Sequence, residues 1–432
     1  MKNKSLRASI ESVMNQALPA LETIGVAIYS EDDLEFVLRP LFIDTLTICQ
    51  YFDTEYTDRI ELRFPISIRD YVRVFERSKG LSVVLTRTRL NYDGTKSREL
   101  PVVTRYSAMI IDPKDLKRQV PDAEYRTSLD VSMALQLVEK KMYEIRFTRV
   151  ASPFVNTTVE GVIRTFMQSG FGITKLDMTP IENKTQYENI IIPPAKGIDD
   201  LLPYLQRRFG MYMKGMAFYY RDETMYIYPA YDTNPEKRDK VVRFYLAETG
   251  DYAGASSFYR EQESGIDIVL TASTKTTDNT VRSAENSGTS VMFMRSSQTM
   301  DGFVKREGGA IIIDPRSTLT IENTQARPLM GQQYKNNTYK QPTDNPFYYA
   351  SKLVADQAIF VQTGWAMAVP FLIPVKTPIQ YSYDNNGSLV THTGIIDQIV
   401  YQYEQVVAGP EGRVYSCHAQ LLLRLEPNPI SS

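Results

Sequence analysis

The sequence is poor in the residues that most often carry chemistry. Its 432 residues include two cysteines, two histidines and one tryptophan. Cys49 and Cys417 lie far apart, which excludes a disulfide framework and fits a reducing compartment. Charge of one sign is also lacking: 49 Lys+Arg stand against 51 Asp+Glu, a net charge of -2, and neither sign forms a long block. The bulk charge therefore announces no nucleic-acid surface. Long apolar runs are missing too. The most apolar stretch, Trp365 to Val375, is too short to cross a bilayer and carries Pro370 and Pro374. Near the N-terminus Glu11, Pro19 and Glu22 break any secretory pattern. The expectation is a protein made in a cytosol, without stable membrane insertion.

What is abundant is tyrosine, with 28 residues. Tyrosine combines strand propensity with apolar area and a polar tip, which suits β-rich domains with interfaces. The length predicts about three domains at roughly 150 residues each. Residues 1–28 read as a helical arm broken near Pro19. In "RIELRFPIS", Ile60, Leu62, Phe64 and Ile66 alternate with Glu61 and Arg63, the period of a half-buried strand. A short helix is expected over Ile68 to Arg77, stopped by Gly80. A hairpin turning at Asp93-Gly94 and a strand over "VVTRYSAMIID" follow. In "SLDVSMALQLVEKKMYEIRFTRV", Val131, Ala134, Leu135 and Val138 have helical spacing, so a helix giving way to a strand near Met142 is predicted.

"NTTVEGVIRTFMQSG" predicts a helix with Asn156 or Thr157 as N-cap and Gly170 as its stop. "PPAKGIDDLLPYLQRRFG" predicts another, with Ile198, Leu201, Leu202 and Leu205 on one face. Asp200 is read as its N-cap and Pro203 as its third residue, with Asp199 and Asp200 favouring the positive helix end. "MAFYYRDETMYIYP" is a hairpin turning near Arg221 to Thr224. Residues 151–235 thus read as an α+β region between β-rich blocks at 29–150 and 236–432. Long polar loops are expected near 271–290 and 321–346. The C-terminal block contains a hairpin turning at Asn386-Gly387, then a strand over "IIDQIVYQYEQ". In its last strand Tyr415, Cys417, Ala419, Leu421, Leu423 and Leu425 share the apolar face, while Ser416, His418, Gln420 and Arg424 share the other.

Candidate chemistry is sparse. His392 and His418 have no Cys, Asp or Glu at ligand spacing nearby. Cys417 and His418 are adjacent on a strand and point to opposite faces, so they cannot form a dyad. Cys49 reads as a small buried hydrophobe. Asp32-Asp33 fits a solvated turn, and Asp199-Asp200 fits a helix start rather than a glycosidase pair. "GFGITK" at Gly170 is too short a phosphate-loop match. Asn156 and Asn386 match glycosylation sequons by chance. The expected inventory is no catalytic residue, no cofactor and no metal.

"VEGVIRTFMQSG", "ENIIIPPAKGIDDLLPYLQRRFG" and "AFYYRDETMYIYP" together resemble the middle of the tail-hub proteins of contractile-tailed bacteriophages. Pro193, Pro194, Ile198, Leu201, Leu205, Phe218, Tyr219 and Tyr226 match the family's pattern, and the closing "GIIDQIVYQYEQ…GRVYSCHAQLLLRL" resembles its final barrel strands. The resemblance covers most of residues 155–233 and 370–425. It implies two antiparallel, tail-tube-like β-barrels, at 29–150 and 236–432, flanking a peripheral α+β domain. It further implies a non-enzymatic baseplate hub: a homotrimeric ring whose channel passes DNA without specific binding. The tail tube would lie above it, the central spike below and wedge proteins around it. Such a protein is made in the host cytoplasm and ends in the virion. The alternatives are another β-rich virion component, such as a glycan-binding adhesin or a wedge subunit, and a tail-associated cell-wall hydrolase.

Overall fold

Alternation of apolar and polar side chains builds most of the chain. The computed structural model describes residues 3–15, 21–52, 55–90, 95–97, 100–111, 130–234, 240–247, 258–271, 275–278, 304–307, 310–313, 358–385, 387–409 and 412–427, with Asn345, Phe347, Ser351 and Val354. After helix α1 (Asn3–Met14) come β1 (Leu21–Ser30), β2 (Val37–Leu38), β3 (Thr45–Tyr51), β4 (Arg59–Ser67), α2 (Ile68–Glu76), β5 (Leu81–Leu90), β6 (Val102–Ile110), β7 (Asp130–Glu139) and α3 (Lys140–Ile145). The middle region contains β8 (Val150–Thr157), α4 (Val159–Thr165), β9 (Lys175–Met178), β10 (Tyr187–Lys196), α5 (Ile198–Arg208), β11 (Met216–Arg221) and β12 (Thr224–Pro229). The C-terminal block contains β13 (Val241–Leu246), β14 (Tyr259–Gln262), β15 (Gly265–Leu270), β16 (Lys275–Asp278), β17 (Val304–Glu307), β18 (Ala310–Ile313), β19 (Ile359–Trp365), β20 (Pro378–Asn385), β21 (Ser388–Gly409) and β22 (Gly412–Leu425).

One large mixed sheet joins the first and last blocks. Its pairings β21–β3–β4–β7–β6–β5–β1–β22 return to their start, because β22 also pairs with β21. A second run goes β16–β19–β22–β21–β20–β13–β15. Between β15 and β16, the Thr271 N–H donates to the Gly364 carbonyl of β19 at 3.0 Å. The long hairpin β21–β22 therefore belongs to both runs. Its inward residues Tyr415, Cys417, Ala419, Leu421, Leu423 and Leu425 are all buried, as their alternation predicts. The antiparallel expectation holds only in part. β13 lies parallel to both β15 and β20, so the sheet is mixed.

The middle region forms its own apolar cluster, with Val162, Ile163, Ile190, Leu201, Leu205, Phe218 and Ile227. The hairpin β11–β12 turns at Asp222 and Glu223, as expected, with φ of 49° and 61°. Alternate residues serve two cores: Phe218 and Tyr220 face this cluster, whereas Ala217 and Tyr219 join the core of the large sheet.

Several local expectations are corrected. Residues 21–27 are strand rather than arm, because β1 pairs along its whole length with β5. The remaining helix, α1, buries Leu6, Ile10 and Val13 in the same core as Val242 and Ile268 of the C-terminal block. The order of helix and strand around Met142 is reversed. Met133, Leu135 and Leu137 are fully buried with period two between β4 and β6, and neighbouring strands overrule the helical spacing. Helix α4 is capped by Thr158, whose Oγ1 accepts from the Gly161 N–H at 3.2 Å, and a π-helical turn extends it to Gly170. Helix α5 starts at Gly197 rather than Asp200, which places Pro203 inside it. There Pro203 cannot return a hydrogen bond to the preceding turn. The strand over "IIDQIVYQYEQ" is the continuation of β21, not a separate element. The first polar stretch carries β16, paired with β19. The Asp93-Gly94 turn, Asn386 and the greater part of 271–290 and 321–346 lie outside the described residues.

Candidate functional site

Three parts of the chain meet at one end of the eight-strand circuit. Inward positions at the other end carry Ile28, Phe64, Val83 and Met133, all fully buried. Continuing along the same faces, the inward residues become Glu22, Asp58, Arg87 and Glu139. Asp58, only 5% exposed, is the centre of this polar end. Its Oδ1 accepts from Gln50 Nε2 at 2.8 Å and from Arg221 Nη2 at 3.0 Å. The Tyr219 hydroxyl also donates to it. Gln50 and Asp58 come from the first block, and Tyr219 and Arg221 from the hairpin of the middle region.

A second cluster lies beside it. The Tyr403 hydroxyl donates to Glu22 Oε2 at 2.9 Å and accepts from Arg87 Nη1 at 3.2 Å. Phe371 joins the two clusters: its ring centroid is 4.9 Å from the Arg87 guanidinium and 5.1 Å from that of Arg221. Phe371 holds a φ of +67°, which costs an L residue energy unless its surroundings fix it. The two guanidiniums over its ring supply such a fixing contact. A cavity of about 810 Å³ opens past these residues, and one of about 680 Å³ lies on the other side of Asp58, toward Tyr56 and Phe218.

The electrostatics are those of a closed joint. Burial pushes the Tyr219 hydroxyl well up, and Asp58 adds to this. Burial works against the Arg221 charge, but Asp58 and Tyr219 outweigh it and its pKa rises. Burial and the charges of Asp58 and Asp222 push Glu139 up to about 8. Asp58 accepts from Tyr219 and Arg221, and Glu22 accepts from Tyr403 with Arg87 3.9 Å away, so both carboxyl groups tie separate chain segments together. Among the described residues, no three His, Cys, Asp or Glu side chains gather as a metal-ligand set.

The residues singled out from sequence lie elsewhere, and the fold does not bring them together. His392 is buried, with Nδ1 2.8 Å from the Glu426 carbonyl and its ring stacked on Tyr383. His418 is half-buried, with Nε2 3.4 Å from Ser416 Oγ. Cys417 points inward, and burial pushes its thiol well up; Cys49, expected to be buried, is only half-buried on the outer face of β3, and that partial burial raises its thiol too. Asp33 pairs with Arg77 at 3.0 Å, and Asp199 and Asp200 lie exposed in the first turn of α5. Helix α5 itself serves as an anchor. Asn345 Nδ2 donates to the Gln206 carbonyl at 2.7 Å and to that of Arg207 at 3.1 Å, which satisfies carbonyls left free at the helix end.

The polar joint was missed by motif reasoning because its members are separated by up to 381 positions, as for Glu22 and Tyr403. A signal existed: Glu22, Arg87 and Arg221 are charged residues at inward positions of otherwise apolar strands.

No helix among the described residues is long and apolar enough to cross a membrane. No curated protein matches the chain. Among solved structures it is similar to the tail protein from Neisseria meningitidis MC58, at 11% identity and a TM-score of 0.49, covering 93% of this chain and 96% of that one. It is also similar to the 43 kDa tail protein of prophage MuSo2 from Shewanella oneidensis, at 10% identity and a TM-score of 0.43, with 93% and 96% covered. A third is the prophage tail protein gp18 from Listeria monocytogenes EGD-e, at 8% identity and a TM-score of 0.40, with 94% and 95% covered. Residues 100–312, just under half of the chain, match the family model described as "Bacteriophage PBS1 gene 109 protein", which bears out the resemblance to a phage protein drawn from the sequence.

Proposed function

We propose that the chain is a structural hub of a phage tail baseplate. Three copies would form a ring with a central channel that joins the tail tube to the central spike. The observation that carries this reading is one closed strand circuit and a second, curving strand run that share the hairpin β21–β22. Read as two barrels per chain, they let a threefold assembly present a quasi-sixfold ring through head-to-tail contacts that close. The middle region, with its own core, is then the peripheral part that wedge proteins grip. A net charge of -2 suits a channel that passes DNA without binding its phosphates. In this reading the protein resides in the virion after synthesis in the host cytoplasm. It has no catalytic, cofactor or metal site, since its buried carboxylates are engaged in holding the blocks together.

Electron microscopy of the purified chain tests the proposal. Threefold rings with an open centre, each copy contributing two barrels to the rim, are expected. A particle with six copies, or with the middle region filling the centre, would overturn it.

A further inference from the structure

The segment from Ala366 to Thr377 joins β19 to β20, and it crosses the shared hairpin to do so, because β19 pairs with β22 and β20 with β21. Both of its roots therefore lie in the second run, on either side of β21–β22. Its middle is packed: Ala368, Val369, Ile373 and Val375 are buried in the core of the large sheet. The Ala368 N–H also donates to the Cys417 carbonyl of β22 at 2.7 Å.

The backbone of this segment is strained. Among the described residues, six other than glycine have a positive φ, and three of them lie here: Met367, Phe371 and Lys376, at 47°, 67° and 59°. Side chains disfavour that conformation, which persists only where surrounding contacts impose it. Those contacts come from other parts of the chain. The Phe371 ring meets the guanidinium of Arg221 from the middle region as well as that of Arg87. Lys376 Nζ is 3.3 Å from each carboxylate oxygen of Asp177 on β9, again in the middle region. Two of the three strained residues thus touch the middle region, whereas the roots of the segment belong to the large sheet.

We propose that residues 366–377 form a sprung strap that couples the seating of the middle region to the second strand run. With the middle region in place, Arg221 and Asp177 hold Phe371 and Lys376 left-handed. When that region is drawn outward, both residues relax to negative φ, and the roots at Trp365 and Pro378 loosen. The coupling is reciprocal, so a shift in β19 or β20 also weakens the grip on the middle region. In the hub reading a partner at the periphery supplies the pull, but the coupling stands or falls without it.

Trp365 is the single tryptophan of the sequence and is buried at one root of the strap, so its quenching by acrylamide is a local readout. Four variants of the full chain separate strain from simple contact. Asp177→Lys, at a side chain 51% exposed, sets a second ammonium beside Lys376. Lys376→Ala removes the ion pair and keeps a side chain that disfavours positive φ, whereas Lys376→Gly removes the pair and the strain together. Lys175→Gln breaks the 2.8 Å pair with Glu223 on the same strand as Asp177 and serves as the control. The quenching constant should rise ~3-fold or more in Asp177→Lys and Lys376→Ala. It should keep the unaltered value in Lys376→Gly and Lys175→Gln. Hydrogen exchange in β6, which β1 and β5 separate from the hairpin, should be the same in every variant. Equal quenching in the alanine and glycine variants would show that strain plays no part. Unaltered quenching in Asp177→Lys would show that no coupling exists, and faster exchange in β6 would show general unfolding instead. Each of these three results overturns the strap, and none bears on the ring reading, which imaging tests.

Discussion

Asp58 and Ile60 are inward neighbours on one segment, yet they contribute to the fold in different ways. Ile60, with Leu62 and Phe64 beyond it, is fully buried among apolar residues from β3 and β7. Contacts of this kind are non-directional and tolerate small changes in shape. Asp58 instead needs Gln50, Tyr219 and Arg221 each in place. The apolar end supplies stability. The polar end specifies which piece of chain closes the circuit, since a wrong partner would leave a charge buried without compensation.

Four measurements break or sharpen that contrast. Truncation after Gly409 removes β22, a wall of both ends and of both circuits, and should give insoluble protein because it opens new sheet edges. A soluble truncated chain in the supernatant would show the strand to be peripheral. Next in size, Asp58→Ala should destabilise by about 3–5 kcal/mol in chemical denaturation, since Arg221 loses its counter-charge. The neighbouring Ile60→Val should cost about 0.5–1.5 kcal/mol. Equal losses at the two positions would erase the distinction between the ends.

A third measurement is the pH dependence of stability. Glu139 is raised to about 8 from an ordinary 4.5, so the folded state binds more protons than the unfolded one between these values. Its contribution is fully present below pH ~4.5 and is lost as pH rises through ~8. Glu139→Gln should flatten that decline, by ~1 kcal/mol or more between pH 5 and 8. An unchanged slope in melting curves across that window would place the titration elsewhere. The smallest effect is expected for His418→Ala, on the half-buried face of β22, within about 0.5 kcal/mol by thermal melting.

Much of the apolar end was legible in the sequence. Ile60, Leu62, Phe64 and Ile66 announce β4 by period two, and Leu421, Leu423 and Leu425 announce β22, because one covered face forces alternation. β7 was not legible. Val131, Ala134, Leu135 and Val138 satisfy a helical spacing as well, and only pairing with β4 and β6 decides between the two. The start of α5 misled because two aspartates near a helix end look like a cap, whereas Gly197 fills that place. The polar joint escaped for a different reason. Nothing local to Asp58 indicates that its partner Arg221 arrives 163 positions later.

The shared hairpin also has a consequence for how the chain is made. β21 and β22 follow every other strand of both circuits in sequence. A ribosome adds roughly 5–20 residues per second, so neither can be completed until well after its first strands have emerged. During that interval β3 lacks β21, β1 lacks β22, and both expose apolar faces. The nascent chain is thus held open from both sides, and one late hairpin both closes the eight-strand circuit and bridges the two halves of the second run.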